Sequence, residues 1–143
     1  MLFRSDVSSL NTSLLSLDPI LDVDAAHGRT FVSQLTGQDS LFAFSDDAGA
    51  SWTPGQGGGI PSGVDHQSVG NGPYPAGSTF GPLTSYPNAV YYCSQDLEAA
   101  FCARSDTGGL TFNQGVPIYT SACGGLHGHV RVAPDGTAYE IET

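Results

Sequence analysis

The stretch Phe44-Ser45-Asp46-Asp47-Ala48-Gly49-Ala50-Ser51-Trp52 has a near copy in Arg104-Ser105-Asp106-Thr107-Gly108-Gly109-Leu110-Thr111-Phe112, with Phe44 matching Arg104 at an offset of 60 residues. The shared pattern Ser-x-Asp-x-Gly-x-x-aromatic has a physical logic. Ser and Asp side chains hydrogen-bond the backbone of a tight turn, Gly supplies a conformation other residues avoid, and the aromatic packs on the strands beneath. The first copy carries Ser45, Asp47, Gly49 and Trp52. The second carries Ser105, Gly109 and Phe112, but has Thr107 in place of the Asp and Asp106 one position early, which predicts a looser turn.

Working outward, no window shows sustained helical periodicity, and Gly or Pro interrupts nearly every ten to fifteen residues. Strand-like runs recur instead at Ile20–Val23, Thr30–Leu35, Ser40–Phe44, Ala89–Gln95, Ala100–Arg104, Val130–Val132 and Thr137–Ile141. The repeat extends past the two boxes, because Gly63-Val64-Asp65-His66 follows the first and Gly125-Leu126-His127 the second. A further register links Asp18–Asp24 to His127–Ala133, each leading into a turn with Gly28 or Gly136. The fold class is therefore all-β. A four-stranded antiparallel unit repeating at this period is the signature of a β-propeller blade, and 143 residues hold about two and a half of them. The expected organisation is an irregular segment over 1–17 and a first blade over 18–62 with its box at 45–52. A second blade follows over 63–122, with a long loop at 70–87 and a box at 105–112, and then half of a third blade over 123–143.

Both boxes resemble the Asp-box, or bacterial neuraminidase repeat, of the sialidase superfamily. The resemblance spans about residues 18–141 and implies a propeller in which the boxes sit between the third and outermost strands, opposite the active-site mouth. It makes Ser45, Asp47, Gly49, Trp52, Ser105, Gly109 and Phe112 scaffold. It also assigns the mouth to connections entering the innermost strands and to the hairpin tips, hence to Asp18, Asp65, His66, His127, His129, Asp39, Asp96 and Glu98. Asp18, Asp65 and His127 fall at matching positions of successive blades and are the catalytic candidates. Such groups suit sugar hydroxyls, acid–base work or a divalent cation, the last through His127 and His129 on one face of a strand. The competing reading is that these groups only hydrogen-bond loop backbones.

Sialidase activity requires three converging Arg and a Tyr–Glu pair, and the chain departs from that pattern. It has four Arg: Arg29 and Arg104 lie on the box side, Arg131 is within a strand, and Arg4 lacks the expected Arg-Ile-Pro context. Tyr139 and Glu140 are adjacent in a strand and point to opposite faces. The implied function is thus an Asp-box propeller that binds or hydrolyses glycans in complete form, this segment alone being inactive. A non-catalytic extracellular interaction or assembly module is the alternative, and a metal-binding propeller using Asp65, His66, His127 and His129 a third. In the 70–87 loop, Tyr74, Phe80 and Tyr86 either stack on a sugar or pin the loop to its own blade.

With 4 basic and 14 acidic residues the net charge is −10, which excludes nucleic acid as a partner. No apolar run is long enough for a membrane-spanning helix. Carbohydrate and the remaining blades are the expected partners. Cys93 and Cys102 face each other if the Asp96–Ala99 region is a hairpin turn, as a disulfide or as two half-buried thiols. Cys123 is then odd, and Asn11-Thr12-Ser13 is a sequon. The lack of Lys and the many Gly, Ser and Thr read as extracellular or secreted, although no signal peptide is visible in the chain.

Overall fold

The computed structural model describes residues 17–35, 40–56, 65–96, 99–120 and 128–140. Among these residues the chain forms strands and turns and no helix. Strands β1 (Leu17–Asp24), β2 (Arg29–Leu35), β3 (Ser40–Ser45) and β4 (Thr53–Gly55) make one four-stranded antiparallel sheet in sequential order. Strands β5 (Asp65–Gly72), β6 (Ala89–Gln95), β7 (Ala99–Ser105) and β8 (Val116–Thr120) make a second of the same design. A hairpin of β9 (Arg131–Val132) and β10 (Ala138–Tyr139) follows.

Register fixes which side chains meet. In the first sheet Phe31 pairs with Phe44 and Ser33 with Phe42, so Phe31, Phe42 and Phe44 share one face. In the second, Val69, Tyr92 and Ala103 are aligned across three strands. The two faces meet in a core of Phe31, Phe42, Phe44, Val69, Tyr86, Val90, Tyr92, Ala103 and Phe112. Phe42 meets Phe112 edge-on at 5.0 Å between ring centres, and Phe31 meets Tyr86 at 5.8 Å. Each buried ring is worth about 1.5–3 kcal/mol of transfer free energy.

The opposite face of the second sheet packs on the β9–β10 hairpin along β5. The Val130 amide donates to Ser68 Oγ at 2.9 Å. A Cβ on Gly70 would lie 2.9 Å from the Val130 carbonyl oxygen, and one on Gly72 would lie 2.5 Å from Val132 Cγ1. These two glycines are therefore set by close sheet approach, which is why they read as the start of a loop. The long connection begins only after Gly72, so the expected 70–87 loop is shortened at its start. The structure adds β4, β5 and β8 to the strand runs expected from sequence; β4 and β8 carry Pro54 and Pro117 on edge strands, where proline is tolerated.

Both boxes close the turn after the third strand of their sheet. Ser45 Oγ accepts the Gly49 amide at 2.8 Å, and Ser105 Oγ accepts the Gly109 amide at 2.9 Å. Asp47 accepts the Ser51 amide and hydroxyl at 2.8 and 2.6 Å, while Thr107 Oγ1 accepts the Thr111 amide at 2.9 Å. The second turn is thus built like the first, a hydroxyl replacing the carboxylate. Gly49 (φ 85) and Gly109 (φ 99) hold the positive backbone angle that the pattern requires.

Candidate functional site

The end of the sheets remote from the boxes holds a cavity of about 470 Å³, lined by Asp18, Asp65, His66 and His129 with Pro19, Ile20, Leu35, Gln67 and Gly128. Four of the residues singled out in the sequence therefore share one space. Asp39, Glu98 and His127 lie outside the described residues. Asp96 is not in the cavity lining: its amide donates to the Ala99 carbonyl and its carboxylate accepts the Ala99 amide at 2.7 Å, closing the β6–β7 turn.

The same backbone device shapes both walls of the cavity. The β1–β2 register shifts between Leu17 and Ile20, and the β5–β6 register shifts between Asp65 and Ser68. Within these bulges Asp18 (φ 48) and His66 (φ 47) adopt a left-handed conformation rare for residues with a Cβ. Asp18 thus corresponds to His66, one place from the Asp18–Asp65 match read from sequence. Such bulges re-aim a side chain and are found next to binding sites.

Gln67 links the bulges. Its Nε2 donates to the Asp18 carbonyl at 2.5 Å, and its Oε1 accepts the hydroxyls of Ser33 at 2.7 Å and Ser40 at 3.0 Å. Ser40 in turn bonds the Tyr92 hydroxyl. Gln67, Ser33 and Ser40 are buried, so this network holds the cavity floor rigid from one sheet to the other. The Asp65 carboxylate accepts the His66 amide at 2.8 Å and lies 3.9 Å from its Nε2.

Arg29 and Arg104 are employed elsewhere. Arg29 pairs with Asp46 through two 2.6 Å contacts, donates to the Gly108 carbonyl and sits between the rings of Phe44 and Tyr86 at 4.0 and 4.4 Å. It thereby staples the two sheets at the box end. Arg104 grips Asp106 at 2.8 and 3.0 Å and covers Phe80. Tyr74 donates to the same Asp106 at 3.0 Å, and Tyr86 is buried in the core. All three loop aromatics are thus tied to the box end rather than to the mouth.

A polar centre not singled out in the sequence lies at that end. Buried Asp24 accepts the Tyr86 hydroxyl at 2.7 Å and Asn88 Nδ2 at 2.9 Å, with His27 Nδ1 at 2.8 Å. Burial alone would raise its pKa, but these hydrogen bonds outweigh burial and hold the carboxyl below its usual range. Tyr86 is pushed up by burial and by the Asp24 carboxylate. The arrangement is a brace between sheets: its members come from β1, its following turn and the 73–88 connection.

Among the described residues, the metal-ligating atoms that come within 4.8 Å of one another in a group of three belong to Cys93, Cys102 and Glu140, not to the mouth groups. Cys93 and Cys102 are a register pair joined by a disulfide, with Cα atoms 4.1 Å apart. No described helix is long and apolar enough to cross a membrane. In comparisons with known proteins the chain matches no family model, no curated sequence and no solved structure.

Proposed function

We propose that the chain is an arc of a secreted, sialidase-like Asp-box β-propeller that binds carbohydrate at the Asp18–Asp65–His66–His129 mouth. The observation that carries this reading is the pair of equivalent bulges, which turn Asp18 and His66 into one cavity at the end opposite both boxes. Two carboxylates and two imidazoles accept and donate hydrogen bonds to hydroxyls, while Pro19, Ile20 and Leu35 offer apolar surface to the C–H face of a sugar ring. Successive stacking of two sheets and a hairpin supports radial repetition, and propellers close with about four to eight such units.

Binding rather than sialoside hydrolysis is favoured, because Arg29 and Arg104 are committed at the box end and the mouth presents carboxylates that repel an anionic ligand. Titration of neutral and amino-substituted mono- and disaccharides, followed by amide NMR, tests the reading. Shifts at Asp18, His66 and His129 are expected, weakened at least about tenfold by Asp18→Asn together with His129→Ala. Binding indifferent to both changes, or turnover of a fluorogenic sialoside, would sink it. The second reading, an interaction or assembly module, is favoured by the exposed apolar Leu21 and Val23 on the outer face of the first sheet.

A further inference from the structure

The contact between the disulfide and Glu140 is chemically one-sided. Sγ of Cys102 lies 3.3 Å from Oε2 of Glu140. In a disulfide neither sulfur carries a proton, so a carboxylate there meets only lone pairs. The same position is favourable against a thiol, which can donate, or against a cation held by sulfur and oxygen together. Cys93 Sγ, Cys102 Sγ and a Glu140 oxygen already lie within 4.8 Å of one another. Zinc accepts thiolate at about 2.3 Å and carboxylate at about 2.0–2.2 Å, and completes its tetrahedron with water when the protein supplies three ligands.

Access and charge also fit. Cys93 is fully buried, but Cys102 is half-buried and lines an open cavity of about 270 Å³ together with Tyr91, Arg104 and Asn113. A cation with two thiolates and one carboxylate carries a net charge of only −1, and the cavity beside Cys102 also holds the Arg104 guanidinium, whose own charge is paired with Asp106. Glu140 directly follows β10, whereas the cysteines lie on β6 and β7. A shared ion would therefore tie the hairpin to the second sheet at a place where its two short strands contribute little of their own.

We propose that reduction of Cys93–Cys102 opens a zinc site formed by both thiolates and the Glu140 carboxylate. A small dithiol supplies the electrons. Its thiolate attacks Sγ of Cys102, releasing Cys93 as a thiolate, and its second thiol then displaces Cys102 and closes the reductant's own disulfide. Two electrons and two protons reach the protein in all. Zinc then displaces the two thiol protons to solvent. The oxidised protein has no such site, so the bridge and the ion are alternative staples of one location, chosen by redox environment.

Cobalt(II) reports the site directly, because thiolate ligation gives a near-ultraviolet charge-transfer absorption that imidazole and carboxylate sites lack. The expected result is one equivalent bound with this band by the dithiol-reduced, desalted chain, none by the oxidised chain, and displacement by zinc. Cys102→Ser should abolish the band, and Glu140→Gln should weaken binding at least about tenfold with an unchanged far-ultraviolet circular dichroism spectrum. As a measurement independent of any variant, one equivalent of zinc should protect Cys93 and Cys102, two of the three thiols of the reduced wild-type chain, from alkylation by iodoacetamide. Absence of the thiolate band and of protection in the reduced wild type, or equal affinity in Glu140→Gln, overturns the proposal.

Discussion

The two sheets present equivalent faces to very different surroundings. Asp22 pairs with Phe31 as Gly70 pairs with Tyr91, so Leu21 corresponds to Val69 and Val23 to Asn71, while the boxes match Trp52 with Phe112. In the second sheet this face is covered by the first: Val69 is 1% exposed and Phe112 8%. In the first sheet only its β1 edge is open: Leu21 is 60% exposed and Val23 58%, whereas Val32 and Ala43, in the same cross-strand row as Leu21, are buried. Trp52 is half-buried, and its indole nitrogen is buried without a hydrogen-bond partner. Leu21 and Val69 are alike in type, so their difference in exposure comes from the first sheet packing on β5 while nothing among the described residues packs on β1 in the same way. The core is largely shared, Phe31, Phe42 and Phe44 of the first sheet packing on Val69, Tyr92 and Ala103 of the second.

The sharpest way to break this comparison is to truncate one side chain on each face. Phe42→Ala removes a ring packed on Phe112 between the sheets and should cost about 3–5 kcal/mol in urea unfolding. Leu21→Ala, at an exposed position of the first sheet's outer face, should stay within about 0.5 kcal/mol. Comparable losses would show that the first sheet's outer face is as engaged as the inner one, and the contrast would fail.

The boxes offer the next contrast. Box one runs through Ala48 (φ 57) and Gly49, whereas box two runs through Gly108 (φ 70) and Gly109. A Cβ on Gly109 would approach Phe42 Cε1 to 2.8 Å at a φ of +99°, so Gly109→Ala should destabilise by roughly 1–3 kcal/mol. Ala48→Gly relieves a left-handed alanine and should stabilise by about 0.5 kcal/mol, the added freedom of the unfolded chain offsetting part of the relief. Opposite signs in thermal unfolding are the expected outcome; a loss in both variants would mean that Ala48 makes packing contacts its partner position lacks.

How far the sequence reveals these features depends on where each residue's partner lies. The boxes are legible because Ser45, Asp47 and Gly49 satisfy one another within four residues. The cavity is legible in part: the repeat aligns Asp18, Asp65 and His127, and the resemblance adds His66, His129, Asp39, Asp96 and Glu98; of these Asp18, Asp65, His66 and His129 line one space, Asp96 does not, and the bulges displace the match by one. β5 is illegible: Asp-His-Gln-Ser-Val-Gly-Asn-Gly has one β-branched residue, and its glycines answer to Val130 and Val132 some 60 residues on. The Asp24 brace is illegible for the same reason, because Tyr86 and Asn88 lie 62 and 64 residues away. Local chemistry leaves a pattern in the chain, whereas sheet-to-sheet contact selects residues that look like turns.

The smallest expected effect separates the boxes by proton. Hydrogen bonds from the Ser51 hydroxyl, the Ser51 amide and the Ser45 hydroxyl lower the Asp47 pKa to about 2, against an ordinary value near 4 for a free aspartate. Because the folded-state value is depressed, the carboxylate's contribution is fully present above the ordinary value and disappears as pH falls through about 2. Thr107 holds the corresponding place in the second box with a hydroxyl that does not titrate in this range. Acidification should therefore loosen the first box turn and spare the second, seen as faster amide exchange at Ser51 with little change at Thr111. Carboxyl carbon shifts of Asp47 should titrate with a midpoint near 2, and Asp47→Asn should remove the difference in exchange. Asp47 is exposed, so salt and water screen the effect and global stability should hardly register it. Thr107→Asp should carry the acid sensitivity into the second box, where failure to do so would show that the two turns differ by more than one acceptor.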